Sequence, residues 1–146
     1  MEFAPRYPGF ESKVRESFAR QQFMATVGAE LVRVAPGEVE IKLPPDPRLT
    51  QQHGFLHAGV VIAVVDSACG YAALTLMEEA AEVLTVELKV NLLAPATGES
   101  LLARGRVLRS GRTLTVCSGE AVAVADGTET TVAALLTTMM AVRDEG

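Results

Sequence analysis

The chain has 146 residues, 49% of them hydrophobic, with 13 Lys and Arg against 18 Asp and Glu and a net charge of -5 at pH 7. That length suits one domain, residues 1–146, with a real core, and is short for two ordinary ones; the acidic balance argues against nucleic acid as a partner. Mean hydropathy of +0.25 is high for a small monomer and points to apolar surface shared between subunits.

Residues 1–10 hold Pro5, Pro8 and Gly9 and are expected to be irregular. They lack the apolar core of a signal peptide, and Cys69 and Cys117 lie in apolar segments, as buried thiols in a reducing compartment do; a cytoplasmic location is the expectation. Glu11 to Thr26 forms an amphipathic pattern with Val14, Phe18, Gln21 or Gln22, and Met24 or Ala25 on one side, which predicts a helix capped by Ser12 and ended by Gly28. Phe18, Phe23 and Met24 are candidates for core packing or for the wall of a ligand pocket. Two strands follow, Ala29 to Val34 and Glu38 to Leu43, joined by Pro36-Gly37. Pro44-Pro45-Asp46-Pro47 then breaks regular structure.

Gln51-Gln52-His53-Gly54-Phe55-Leu56-His57-Ala58-Gly59 leads into the longest apolar run of the chain, Val60 to Met77. Asp66, Ser67, Gly70 and Thr75 interrupt that run and no Lys or Arg cluster flanks it, so a buried core helix is expected rather than a membrane span. Beyond Glu78, Glu79 and Glu82, residues Leu84, Val86, Leu88, Val90 and Leu92 alternate with Thr85, Glu87, Lys89 and Asn91, a half-buried strand with Thr85 on the face away from the helix. Three more strands, Glu99 to Arg109, Arg112 to Val124 and Thr128 to Val142, are separated by turn signals at Ser110-Gly111 and Asp126-Gly127. Leu135-Leu136 and Met139-Met140 make the last of them apolar on both faces, one toward the helix and one toward a second subunit. The expected architecture is α+β, a long central helix wrapped by an antiparallel sheet of five or six strands, with a short helix in front.

The chemistry centres on Asp66. A carboxylate in an apolar run is costly unless paired or protonated, and such groups are enriched at functional sites. There is no Gly-x-Ser-x-Gly elbow, no phosphate-binding glycine loop and no His/Cys pair at zinc spacing; no metal and no cofactor is expected, and His53 and His57 are taken as ordinary loop histidines. A helix starting at 57–59 offers free backbone N–H groups and a partial positive charge, suited to an oxyanion. A carboxylate can serve as general base toward water or as nucleophile, and Gln51 or Gln52 supplies an amide to position water. Ala58 and Asp66 are eight residues apart, roughly 12 Å along a helix. One carbonyl cannot touch both within one chain, so a shared site needs two subunits, and Gly59, Ala63, Gly70 and Ala73 permit close approach between them.

The amide residue, Gly54-Phe55-Leu56-His57-Ala58-Gly59, Val65-Asp66-Ser67-Ala68, Leu84 to Leu88, Asn91 to Ala96, Gly98-Glu99 and Arg109-Ser110-Gly111-Arg112 together resemble the hotdog-fold acyl-CoA thioesterases of the phenylacetate-degradation (PaaI-like) type, over about residues 28 to 142. The resemblance implies a hotdog fold, a homodimer or homotetramer, acyl-CoA as substrate, and a site between subunits. It implies Asp66 as base or nucleophile, the Ala58 N–H as oxyanion donor where relatives carry glycine, Gln51 as an orienting amide, Thr85 near the acid, and His57 as a packing residue of the helix start. Gly59, Arg109 and Arg112 are then candidates for substrate contact; Arg104, Arg106, Arg109 and Arg112 form the one basic group concentrated enough to meet coenzyme A phosphates, with solvated strand ends as the competing reading. A non-catalytic acyl-CoA-binding protein on the same fold is the alternative function. A hydratase would favour a paired Asp and His in one loop, which the sequence lacks.

Overall fold

The computed structural model describes residues 2–144. In chain order the elements are helices α1 (Phe10–Arg20) and α2 (Gln22–Val27), strands β1 (Glu30–Ala35) and β2 (Glu38–Leu43), a single 3-10 turn at Pro47–Leu49, helix α3 (Ala58–Leu74), and strands β3 (Ala81–Leu92), β4 (Ser100–Ser110), β5 (Leu114–Ala125) and β6 (Thr128–Arg143). The strands form one antiparallel sheet in the order β1-β2-β4-β5-β6-β3. This is the hotdog arrangement, with α3 as the filling.

Two features press α3 onto the sheet. Apolar side chains of both layers interlock: Val64, Val65, Ala68 and Ala72 of the helix are fully buried with Ile41, Ala103, Ala121 and Met139 of the strands, and burying a large aliphatic side chain contributes about 1.5–3 kcal/mol over leaving it exposed. Glycine then sets the closest approach. A Cβ at Gly105 of β4 would collide with the backbone of Ala68 and Cys69, and one at Gly119 of β5 with the side chains of Val65 and Cys69. Leu135 and Met139 face this core, whereas Leu136 is 50% exposed on the outer face, as the doubled apolar pairs of β6 predict. The β5–β6 hairpin turns on Asp126 (φ 50°) and Gly127 (φ 73°), the two successive positive-φ positions of a tight primed turn.

Three expectations are corrected. The front helix is broken rather than continuous: Gln21 is extended (φ -76°, ψ 101°) and separates α1 from α2. Its side chain bonds to α3 instead, and those tertiary hydrogen bonds offset the lost helical turn. Ser12 is not the cap; Gly9 precedes α1 and makes no side-chain cap. On β3, a bulge between Thr85 and Glu87 shifts the register against β6, and one inserted residue exchanges the faces of everything beyond it. Val83 on one side of the bulge and Val90 on the other both pack on the core, while Leu84 and Val86 are exposed. Thr85 therefore faces the helix, contrary to simple alternation. Among the described residues no helix is long and apolar enough to cross a membrane.

Candidate active site

The loop before α3 is held by its own backbone. Gln51 N–H donates to Phe55 O (2.8 Å), Gly54 N–H to Gln51 O (3.0 Å), Leu56 N–H to Ala96 O (3.1 Å) and His57 N–H to Leu49 O (2.9 Å). The Gln51 side-chain oxygen accepts from His53 N–H (2.7 Å) and Phe55 N–H (3.2 Å). Only its amide –NH2 is left to meet a ligand, which narrows the water-positioning role expected of it to that of a donor.

The first turn of α3 has four backbone donors without intrahelical partners. His57, the N-cap, takes the Gly59 N–H on its Nδ1 (2.8 Å), and its carbonyl takes those of Val60 (3.0 Å) and Val61 (3.3 Å). The Ala58 N–H has no acceptor among the described residues. Gly59 leaves room for the histidine ring, because a Cβ there would lie 3.0 Å from Nδ1. One free, dipole-oriented N–H thus remains at the start of the helix, on Ala58.

Two turns further along α3, Asp66 lies half-buried and accepts from the Thr85 hydroxyl on one oxygen (2.8 Å). Burial pushes its carboxyl above the ordinary aspartate value, and the Thr85 hydrogen bond partly opposes that rise. The other carboxylate oxygen is free to take a proton from water or to attack. Asp66 and Thr85 border a cavity of about 260 Å³ together with Ser17, Gln21, Ser67 and Tyr71. Ala58 and Gln51 border a different cavity, about 590 Å³, with Leu92, Leu93 and Pro95. The two share no residue, in keeping with the roughly 12 Å between donor and acid along the helix. A third cavity, about 370 Å³, is walled by Leu43, Pro44, Pro45 and Leu101; its one carboxylate, Asp46, is clamped by Arg48.

The remaining candidates divide. Arg104 is engaged by Glu40, Glu120 and Glu129 on the outer face of the sheet. Arg109 and Arg112 are exposed at the β4–β5 hairpin, and neither makes an ion pair among the described residues. Met24 is fully buried core and Phe23 is 51% exposed, while Phe18 meets Tyr71 edge to face with centroids 6.0 Å apart. No group of three His, Cys, Asp or Glu able to hold a metal occurs among the described residues.

The profile of the thioesterase superfamily matches residues 53–130, which span the helix start, Asp66, Thr85 and the strands β4 and β5. The chain belongs to the thioesterase superfamily. A thioesterase family protein of Silicibacter pomeroyi is 56% identical, with a TM-score of 0.91 over 92% of this chain and 99% of that one. Human acyl-coenzyme A thioesterase 13 is 32% identical over 60% of this chain and 63% of its own. The PaaI protein of Escherichia coli has the same fold at 16% identity, with a TM-score of 0.81 over 91% and 93% of the two chains. This thioesterase is accordingly a thioester hydrolase with a hotdog fold. One group beside its acid escaped sequence reasoning: the chain Ser67, Gln21, Tyr71, Ser17. The available signal was two polar residues, Ser17 and Gln21, four apart on a helix face otherwise apolar.

Proposed function

We propose that the protein hydrolyses acyl-CoA thioesters at a site built across a dimer, with Asp66 of one subunit as base or nucleophile and the Ala58 N–H of the other as oxyanion donor. The observation that carries this is the pairing of two unspent groups. One carboxylate oxygen of Asp66 is free, and one N–H in the first turn of α3 is free, yet they lie on separate cavities of one chain. Two chains packed with their central helices antiparallel bring one of each together, twice. The exposed apolar edge strand β3, with Leu84, Val86, Leu88 and Leu92 uncovered, supports such a partner, since an unpaired apolar edge invites another strand.

In the reaction, the thioester carbonyl lies against the helix start, where the Ala58 N–H and the Gln51 amide meet the developing negative charge. Asp66 removes a proton from water as the water attacks and the thiolate leaves with that proton, or it attacks the carbonyl itself, expelling the thiolate and forming a mixed anhydride that water then hydrolyses, regenerating the carboxylate and supplying the thiol's proton. Thr85 holds the carboxylate in place and keeps part of its charge stable. Nothing in this scheme calls for a metal or cofactor. Arg109 and Arg112, exposed and without an ion pair among the described residues, are the candidates to meet a carrier's phosphates. A homodimer is the smallest assembly this scheme requires; the outward apolar residues of β6 favour a tetramer.

The test is a hydrolysis screen over short, medium, long and aryl acyl-CoAs with the wild type and Asp66→Asn. Asparagine keeps the size and still accepts from Thr85. Turnover should fall at least about 100-fold, the scale of a lost general base, with assembly unchanged. Near-normal turnover in a folded variant sinks the assignment and favours a protein that binds acyl-CoA without hydrolysing it.

A further inference from the structure

The cavity beside Asp66 is lined mostly by polar side chains, which is unusual for a pocket meant to receive hydrocarbon. Ser67, next to the acid on α3, donates to the Gln21 side-chain oxygen (3.3 Å). The Gln21 amide donates to the Tyr71 hydroxyl (3.0 Å), which also accepts from Ser17 (3.3 Å). Tyr71 is only 6% exposed. Its hydroxyl oxygen thus receives two bonds, while its own proton and the second proton of the Gln21 amide have no acceptor among the described residues. Tyr71 is buried while Ser17 and Gln21 are half-buried, and polar hydrogens so placed ordinarily find a partner. The break between α1 and α2 falls at Gln21 itself and turns this one side chain into the network. Opposite it the helix presents Gly70, where a Cβ would meet nothing within 4 Å; the space is kept open.

We infer that Gln21 and Tyr71 are specificity-determining residues, which select acyl groups carrying a hydrogen-bond-accepting oxygen at the end remote from the thioester. The inference rests on the proposal that Asp66 acts on the thioester. The acyl end, rather than the carrier end, enters this cavity because Asp66 and Glu82 both border it and would repel a phosphate. Its size, about 260 Å³, admits a ring or a short chain, since a cavity of roughly 150 Å³ already accepts benzene. A hydrocarbon terminus there would cover the unpaired donors without satisfying them; an oxygen would accept from one of them.

The experiment compares isosteric pairs: hexanoyl-CoA against its penultimate-carbon ketone, and cyclohexanecarbonyl-CoA against the ring ketone opposite the thioester. The readout is the ratio of kcat/KM within each pair, in which any general loss of folded enzyme cancels. The wild type should favour the ketone in at least one pair by about 10-fold or more. In Gln21→Leu or in Tyr71→Phe, which keeps the ring against Phe18, that ratio should collapse to about one, with the plain hydrocarbon thioester retained as a substrate. A wild type that prefers the hydrocarbons or shows no preference overturns the inference, as does a ketone preference that survives in both variants. Failure of the wild type to cleave any of the four overturns the Asp66 reading first, and this inference with it.

Discussion

At the scale of single residues, the proposed site is a set of groups each left one bond short. Asp66 has a spare oxygen, Ala58 a spare N–H and Gln51 a spare amide among the described residues. Such groups oppose folding, and the sign of the effect follows from the raised carboxyl of Asp66. Between the unfolded aspartate value and the raised folded one, the native state holds more protons than the unfolded state, so stability falls as pH rises through that window. Above it the full penalty of a partly buried charge remains; below both values it is absent. Asp66→Asn removes the titration while keeping the Thr85 bond. The variant should therefore melt above the wild type at neutral pH, and the difference should shrink toward zero as pH falls below the unfolded aspartate value. Thermal melts of the two proteins from neutral to acid pH check this; a variant that melts lower at neutral pH would show that the carboxylate is stabilising where it sits.

At the scale of elements, helix α3 organises the fold, and most of it was legible. A long apolar run announces a core helix, and the glycines and histidine before it announce its start. Strands β2 and β4 to β6 were legible too, because a period of two needs no knowledge of neighbours, even though register shifts at Val107/Arg109 and Ala121/Val122 interrupt it locally. The break at Gln21 and the bulge at Thr85 were not. Each arises from tertiary bonds made to α3, Gln21 with Tyr71 and Thr85 with Asp66, and local propensity carries no trace of a partner far along the chain. The family resemblance placed Thr85 near the acid when alternation placed it away, and the bulge reconciles the two. The helix start also admits a clean test. His57 already has the extended conformation (φ -61°, ψ 134°) that a residue before proline requires, and the Ala58 N–H has no acceptor among the described residues. Ala58→Pro should thus fold with little change in melting temperature, yet lose about 100- to 1000-fold in kcat through the missing oxyanion donor. Circular dichroism with turnover measured on the same preparation decides it: retained activity in the folded variant removes Ala58 from the mechanism.

At the scale of the whole molecule, the question is whether one chain can hold a complete site. The proposed donor and acid lie on one helix, roughly 12 Å apart, and they open onto cavities with no residue in common. If each site takes its acid from one chain and its donor from the other, two differently damaged subunits complement each other. In a dimer of one Asp66→Asn chain and one Ala58→Pro chain, one site collects both lesions and the other collects neither. Mixing the two inactive proteins after reversible dissociation should restore activity. With random exchange at equal amounts about half the dimers are mixed, and each has one sound site of two, so roughly a quarter of the wild-type rate should return. Mass spectrometry of differently labelled chains establishes that exchange has occurred. A site contained within a single chain predicts no recovery at any mixing ratio, because every chain then carries a lesion. Absence of recovery after proven exchange would therefore overturn the shared site while leaving the membership of the thioesterase superfamily intact.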